Sequence, residues 1–139
     1  MPEFADLRVG MTAESSRTVT EADIVLFAGI TGDLNPVHVD EVAARRSRFG
    51  GRIAHGILTA GYVSATIGMK LPGPGAIYME QTLRFTRPVR IGDTVTATVQ
   101  VVEIDEEKRR VRLRTRCANQ DGKNVLDGEA LVLIPEASS

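Results

Sequence analysis

From residue 94 onward the chain alternates with a period of two. Val95, Ala97, Val99 and Val101 fall on one side, and Thr94, Thr96, Thr98 and Gln100 on the other. That is the pattern of a strand with one face in a core. Val111, Leu113, Thr115 and Cys117 repeat it, with Arg112, Arg114 and Arg116 opposite. Asp105-Glu106-Glu107-Lys108 and Asp121-Gly122 supply the hairpin turns. One further strand is expected from about Ala76 to Thr86 and a last one from Val125 to Ile134, four antiparallel strands in all. The tail Glu136-Ala137-Ser138-Ser139 is expected to fray.

The first half reads differently. Thr18-Val19-Thr20 ends a short extended segment, and Thr20 then serves as an N-cap with Asp23 three positions on. Ile24, Phe27 and Ala28 share a face, so a helix runs from Glu21 to about Ile30, weakened by Gly29 and stopped by Gly32. Asp33 to Gly51 is an irregular excursion with one helical piece, Asp40 to about Arg45, a loop long enough to suggest function. Gly56 to Gly68 carries no charge and no clear polar face. Such a helix is hidden most economically by a sheet wrapped around it. Leu71-Pro72-Gly73-Pro74-Gly75 closes it. The result is an α+β chain, a sheet around a central helix.

Composition narrows the class without choosing a function. With 139 residues and 15.0 kDa, a single domain spanning 1–139 is expected. A net charge of -1 gives no pull toward nucleic acid or anionic lipid, and six aromatics without tryptophan give no base-stacking platform. The lone Cys117 excludes an internal disulfide and fits a reducing compartment. The N-terminal residues show no basic region followed by an apolar run. The longest charge-free stretch, about Ile53 to Met69, is shorter than the ~20 residues of a membrane span. A soluble, cytoplasmic protein is the expectation, without nucleic-acid or membrane partners.

Candidate chemistry concentrates in Gly32-Asp33-Leu34-Asn35-Pro36-Val37-His38. It sets a carboxylate and an imidazole five positions apart across a turn that proline stiffens. Such a pair can hold one water between them, with Asn35 adding a hydrogen bond. The plainer alternative is that Asp33 caps a turn and His38 is a surface histidine. Gly56, at the start of the charge-free helix, offers unpaired N–H groups to a substrate oxygen, or is a glycine required only for packing. Ser64 lies two turns further along the same face, free either to line a pocket or to bond the preceding carbonyl. Asp33, His38, Asp40 and His55 form no recognised metal-ligand motif, so no metal is expected. The arginine stripe 112, 114 and 116 is either a solvated face or a phosphate site, and Cys117 belongs to the core.

Phe27-Ala28-Gly29-Ile30-Thr31-Gly32-Asp33-Leu34-Asn35-Pro36-Val37-His38-Val39-Asp40 resembles the signature of the MaoC-like, R-specific enoyl-CoA hydratases. Ile53-Ala54-His55-Gly56-Ile57-Leu58 matches that family's second segment. Phe85-Thr86-Arg87-Pro88-Val89-Arg90-Ile91-Gly92-Asp93-Thr94 is similar to hot-dog proteins generally, thioesterases included. The resemblance covers about Val19 to Pro135. It implies a hot-dog fold, a homodimer pairing sheets edge to edge, and an acyl-CoA thioester near the subunit interface. The implied reaction is reversible hydration of a trans-2-enoyl-CoA to the (3R)-3-hydroxyacyl-CoA, with no metal or redox cofactor. Asp33 and His38 correspond to the family's catalytic pair and Gly56 to its backbone donor. Asn35, Ser64 and His55 fall in the substrate-binding set. Arg52, Arg84 and Arg87 are the candidate partners for the phosphates of coenzyme A. The competing readings are a hot-dog thioesterase and a non-catalytic subunit of a heteromeric dehydratase.

Overall fold

Thr20 does what its place before Glu21 predicts. Its Oγ1 accepts from the Asp23 N–H at 3.2 Å while Asp23 Oδ2 accepts from the Thr20 N–H at 2.9 Å, a closed capping box. Helix α1 (Glu21–Thr31) ends at Gly32, whose φ of 81° is the left-handed cap that the glycine promised. The computed structural model describes residues 3–136. The frayed tail expected at 136–139 therefore lies, except for Glu136, outside the described residues.

The excursion holds two short helices rather than one: α2 (Pro36–Val39) and α3 (Glu41–Arg45). Helix α2 was missed, although its start is marked locally. Asn35 Oδ1 caps the Val37 N–H at 3.3 Å and Pro36 occupies the first helical position. Helix α4 (Gly56–Met69) follows.

Six strands form one antiparallel sheet: β1 (Thr12–Thr18), β2 (Ile77–Gln81), β3 (Arg84–Phe85), β4 (Thr94–Asp105), β5 (Arg110–Ala118) and β6 (Asn124–Leu133). Their order is β1-β4-β5-β6-β2, with β3 also on β6. The α+β hot-dog architecture is thus as expected, with two corrections to the strand count. Strand β1 extends back to Thr12; its sequence, Thr-Ala-Glu-Ser-Ser-Arg-Thr, has no apolar alternation to reveal it. The strand expected over Ala76 to Thr86 is two, because the chain bends at Thr82, whose carbonyl crowds Gly128 so closely that no side chain could stand there.

The long strands have the faces expected of them. Val95, Ala97, Val99, Val101, Val111, Leu113, Thr115 and Cys117 are all buried, with Ala97 opposite Cys117 and Val101 opposite Leu113. The arginine stripe is a solvated face. Arg112 lies 3.6 Å from Glu103, Arg114 stands opposite Glu129 in the register, and Arg116 donates to Asn124 Oδ1 at 2.9 Å.

Helix α4 packs against β1, β4 and β5. The wrapping is partial. Thr59, Tyr62, Val63, Thr66 and Ile67 are buried, whereas Ile57, Gly61, Ser64 and Ala65 are exposed. One sheet covers one face of a helix; the opposite face carries small residues and stays bare.

Candidate active site

His38 is held from three directions. Its Nδ1 lies 2.7 Å from the Ile53 carbonyl. A carbonyl only accepts, so Nδ1 carries the proton and Nε2 keeps the lone pair of the neutral ring. The Ile53 N–H donates to the Val37 carbonyl at 3.1 Å, and Arg52 Nε donates to the His38 carbonyl at 2.7 Å. The imidazole is 9% exposed and lines a cleft of about 440 Å³.

Asp33 stands just beyond the left-handed Gly32. Its N–H donates to Thr31 Oγ1, its Oδ1 accepts from the Asn35 N–H at 3.2 Å, and its carbonyl accepts from His55 Nε2 at 3.0 Å. The turn-capping alternative is therefore true of Asp33, and does not exclude the catalytic one. A carboxylate oxygen of Asp33 and one ring nitrogen each of His38 and His55 lie within 4.8 Å of one another. That span lets a single water bridge Asp33 and His38 with two hydrogen bonds. The Asp33 side chain is exposed in the isolated chain.

His55 sits beneath this pair and off the cleft wall. It is 2% exposed, stacked 4.0 Å from His38 and 4.6 Å from Phe27, and its Nδ1 has no partner. The His38 ring is tilted 30° to it and the Phe27 ring 49°. His55 supports the loop through its bond to the Asp33 carbonyl.

Gly56 begins α4 on the wall of the same cleft, and no side chain caps that helix end. The ring of Phe85 lies over it: a Cβ at 56 would stand 2.8 Å from Phe85 Cδ1. Packing against Phe85 favours a glycine here, and Gly56 lines the cleft at a helix start that no side chain caps. Asn35 caps α2 through its oxygen, leaving its NH₂ free beside Asp33. Ser64 is set apart. It lies about 12 Å along α4 from Gly56, at 1.5 Å per residue, in a second cleft of about 480 Å³ with Phe27, Gly61, Tyr78 and Met79. Ile57 borders both clefts.

Among the candidate cations, Arg87 lines the His38 cleft, joined by Arg48, which the sequence did not single out. Arg84 faces a different depression beside Arg114. Arg52 is corrected outright: its guanidinium is committed to Glu21 and the His38 carbonyl, and its side chain is 9% exposed. Phe49 and Phe85 also line the cleft, and no local pattern singles them out: Phe85 meets Gly56 only through the fold.

The MaoC-like domain model matches residues 6–122. The chain is 52% identical over 132 residues to an (R)-specific enoyl-CoA hydratase of Rhodospirillum rubrum, covering 95% of this chain and 91% of that one. It is 53% identical over 133 residues to a 3-hydroxybutyryl-CoA dehydratase of Methylorubrum extorquens, covering 96% and 84%. The solved structure of R-hydratase PhaJ1 from Pseudomonas aeruginosa, unliganded, superposes with a TM-score of 0.91 at 49% identity, covering 96% of this chain and 86% of that one. This chain belongs to the MaoC-like family. Within this MaoC-like domain the matched span contains Asp33, His38, His55 and Gly56 together, so loop, support and helix start come from one family unit.

Proposed function

We propose that this MaoC-like protein is an (R)-specific 2-enoyl-CoA hydratase, adding water reversibly and syn to a trans-2-enoyl-CoA to give the (3R)-3-hydroxyacyl-CoA. The observation that carries the reading is the juxtaposition of Asp33 and His38, within one water's span, beside the uncapped start of α4 at Gly56.

The thioester oxygen lies against the Gly56 N–H at the positive end of α4, where charge collects as water attacks C3. One such donor is worth ~3 kcal/mol of transition-state stabilisation. Water held between Asp33 and His38 gives up a proton as its oxygen bonds to C3. The same pair then returns a proton to C2 on the same face, which makes the addition syn. His38 Nε2 is the nitrogen free to take part, since Nδ1 is held by the Ile53 carbonyl. Hydration changes no net oxidation state, so the proposed reaction needs no redox cofactor; coenzyme A enters as part of the substrate.

The working form is a homodimer in this reading, acting in the cytoplasm. Its support is exposed apolar side chains: Ile30 and Leu34 (75% and 63% exposed), and Ile57 of α4 with Tyr78 and Met79 of the edge strand β2 around one cleft. Patches of this kind mark interfaces, and a second copy here would cover the Ser64 cleft and the outer side of Asp33. The test is incubation with crotonyl-CoA, with resolution of the product enantiomer and a thiol reagent for free coenzyme A. (3R)-3-hydroxybutyryl-CoA without thiol release is expected. Release of free coenzyme A would establish the thioesterase instead.

A further inference from the structure

Helix α2 is four residues long, too short to satisfy its own last carbonyls. The segment Arg52-Ile53 supplies the partners: the Ile53 N–H for the Val37 carbonyl, Arg52 Nε for the His38 carbonyl, and the Ile53 carbonyl for His38 Nδ1–H. Arg52 is the member that reaches outside this clasp. Its NH1 donates to Glu21 Oε1 at 2.6 Å, in the first turn of α1. A carboxylate there is itself favoured by the helix dipole. One planar guanidinium thus joins the start of α1 to the main chain of His38. A lysine, with a single point charge on a flexible stem, has no such fork. Arg52 is not on the wall of the His38 cleft, so it reaches the substrate only through His38.

We propose that Arg52, braced on Glu21, is a positioning residue for His38: it fixes the His38 main chain so that Nδ1–H stays on the Ile53 carbonyl and Nε2 remains the free nitrogen. The role rests on the hydratase reading for its effect on turnover, but not for its effect on the ring.

The chain contains only two histidines, so a nitrogen-15 imidazole spectrum resolves the ring directly. In R52Q the His38 Nδ1–H signal is expected to weaken and the Nε2–H tautomer to emerge. Turnover on crotonyl-CoA should fall about 10- to 100-fold, the scale of an ångström's misplacement, with KM little changed and the pH profile of kcat displaced. R52K should recover part of the loss. E21Q, which keeps the Arg52–His38 bond, should lose less than R52Q. An unchanged His38 tautomer with kcat within twofold of wild type overturns the proposal. Where R52Q fails to fold, the same two readouts on R52K decide it: a wild-type spectrum and wild-type kcat overturn it, and a disturbed tautomer with reduced kcat upholds it. Wild type and D33N run alongside separate the two claims. Hydration lost only in D33N keeps the hydratase and removes Arg52, whereas an inert wild type removes the hydratase and leaves the imidazole spectrum to judge Arg52.

Discussion

Gly56 is the residue at which packing and chemistry impose the same demand. G56A puts a methyl against the Phe85 ring, which is 47% exposed and can swing outward. The stability loss is therefore expected at about 1 kcal/mol, the low end for overpacking. Turnover should suffer more, by tenfold or beyond, because the methyl holds the thioester oxygen away from the N–H (~10²-fold per ångström). Thermal denaturation and steady-state rates on one preparation check this; a large loss of stability with unaltered kcat would make Gly56 a packing glycine only. At this scale the sequence was most legible where residues are close in the chain. Asp33, Asn35 and His38 are joined by one loop, and their proximity is legible from it. Phe85 over Gly56, and Arg52 on His38, join residues 29 and 14 positions apart by contacts that no local pattern encodes.

Elements were legible when their signals were local. The capping box at Thr20, the stop at Gly32 and the buried faces of β4 and β5 all follow from neighbours in sequence. Strand β1 was not, since an edge strand of polar residues lacks alternation. The break between β2 and β3 brings the Thr82 carbonyl against Gly128, 46 residues away, an approach no local pattern encodes. Cys117, in the middle of β5, gives a prediction of its own. Burial pushes its thiol from 9.0 up to about 12, so the folded state holds this proton more tightly than the unfolded one. The resulting stability is complete below about pH 9 and is lost as pH rises from there toward 12. Native protein should leave a thiol reagent unreacted near neutral pH, and its melting temperature should fall only above about pH 9. Ready titration of Cys117 in folded protein would contradict the packing of β5 against α4.

Among the described residues, exposed apolar side chains include Val25, Leu26 and Ile30 of α1, Ile57 and Met69 of α4, and Ile77, Tyr78 and Met79 of β2. Ala65 sits in the middle of the bare helix face, pointing away from the cleft that holds His38. A65R should convert a dimer to a monomer in sedimentation analysis and reduce hydration, since the outer side of Asp33 loses its cover. A wild-type protein that sediments as a monomer at every concentration would remove the homodimer from the account. The sequence suggested a sheet wrapped around this helix; the structure leaves one stripe of it exposed, which periodicity does not show because both faces of α4 are uncharged.

The central claim is that Asp33 and His38 together activate one water beside the Gly56 amide. Following loss of crotonyl-CoA absorbance with wild type, D33N and H38A tests it most directly. Wild type should hydrate the thioester, and each variant should lose at least about 10²-fold in kcat, the contribution of a positioned acid–base group, while keeping the circular dichroism of the parent. An inert wild type, or a D33N variant that turns over at the wild-type rate, would contradict it.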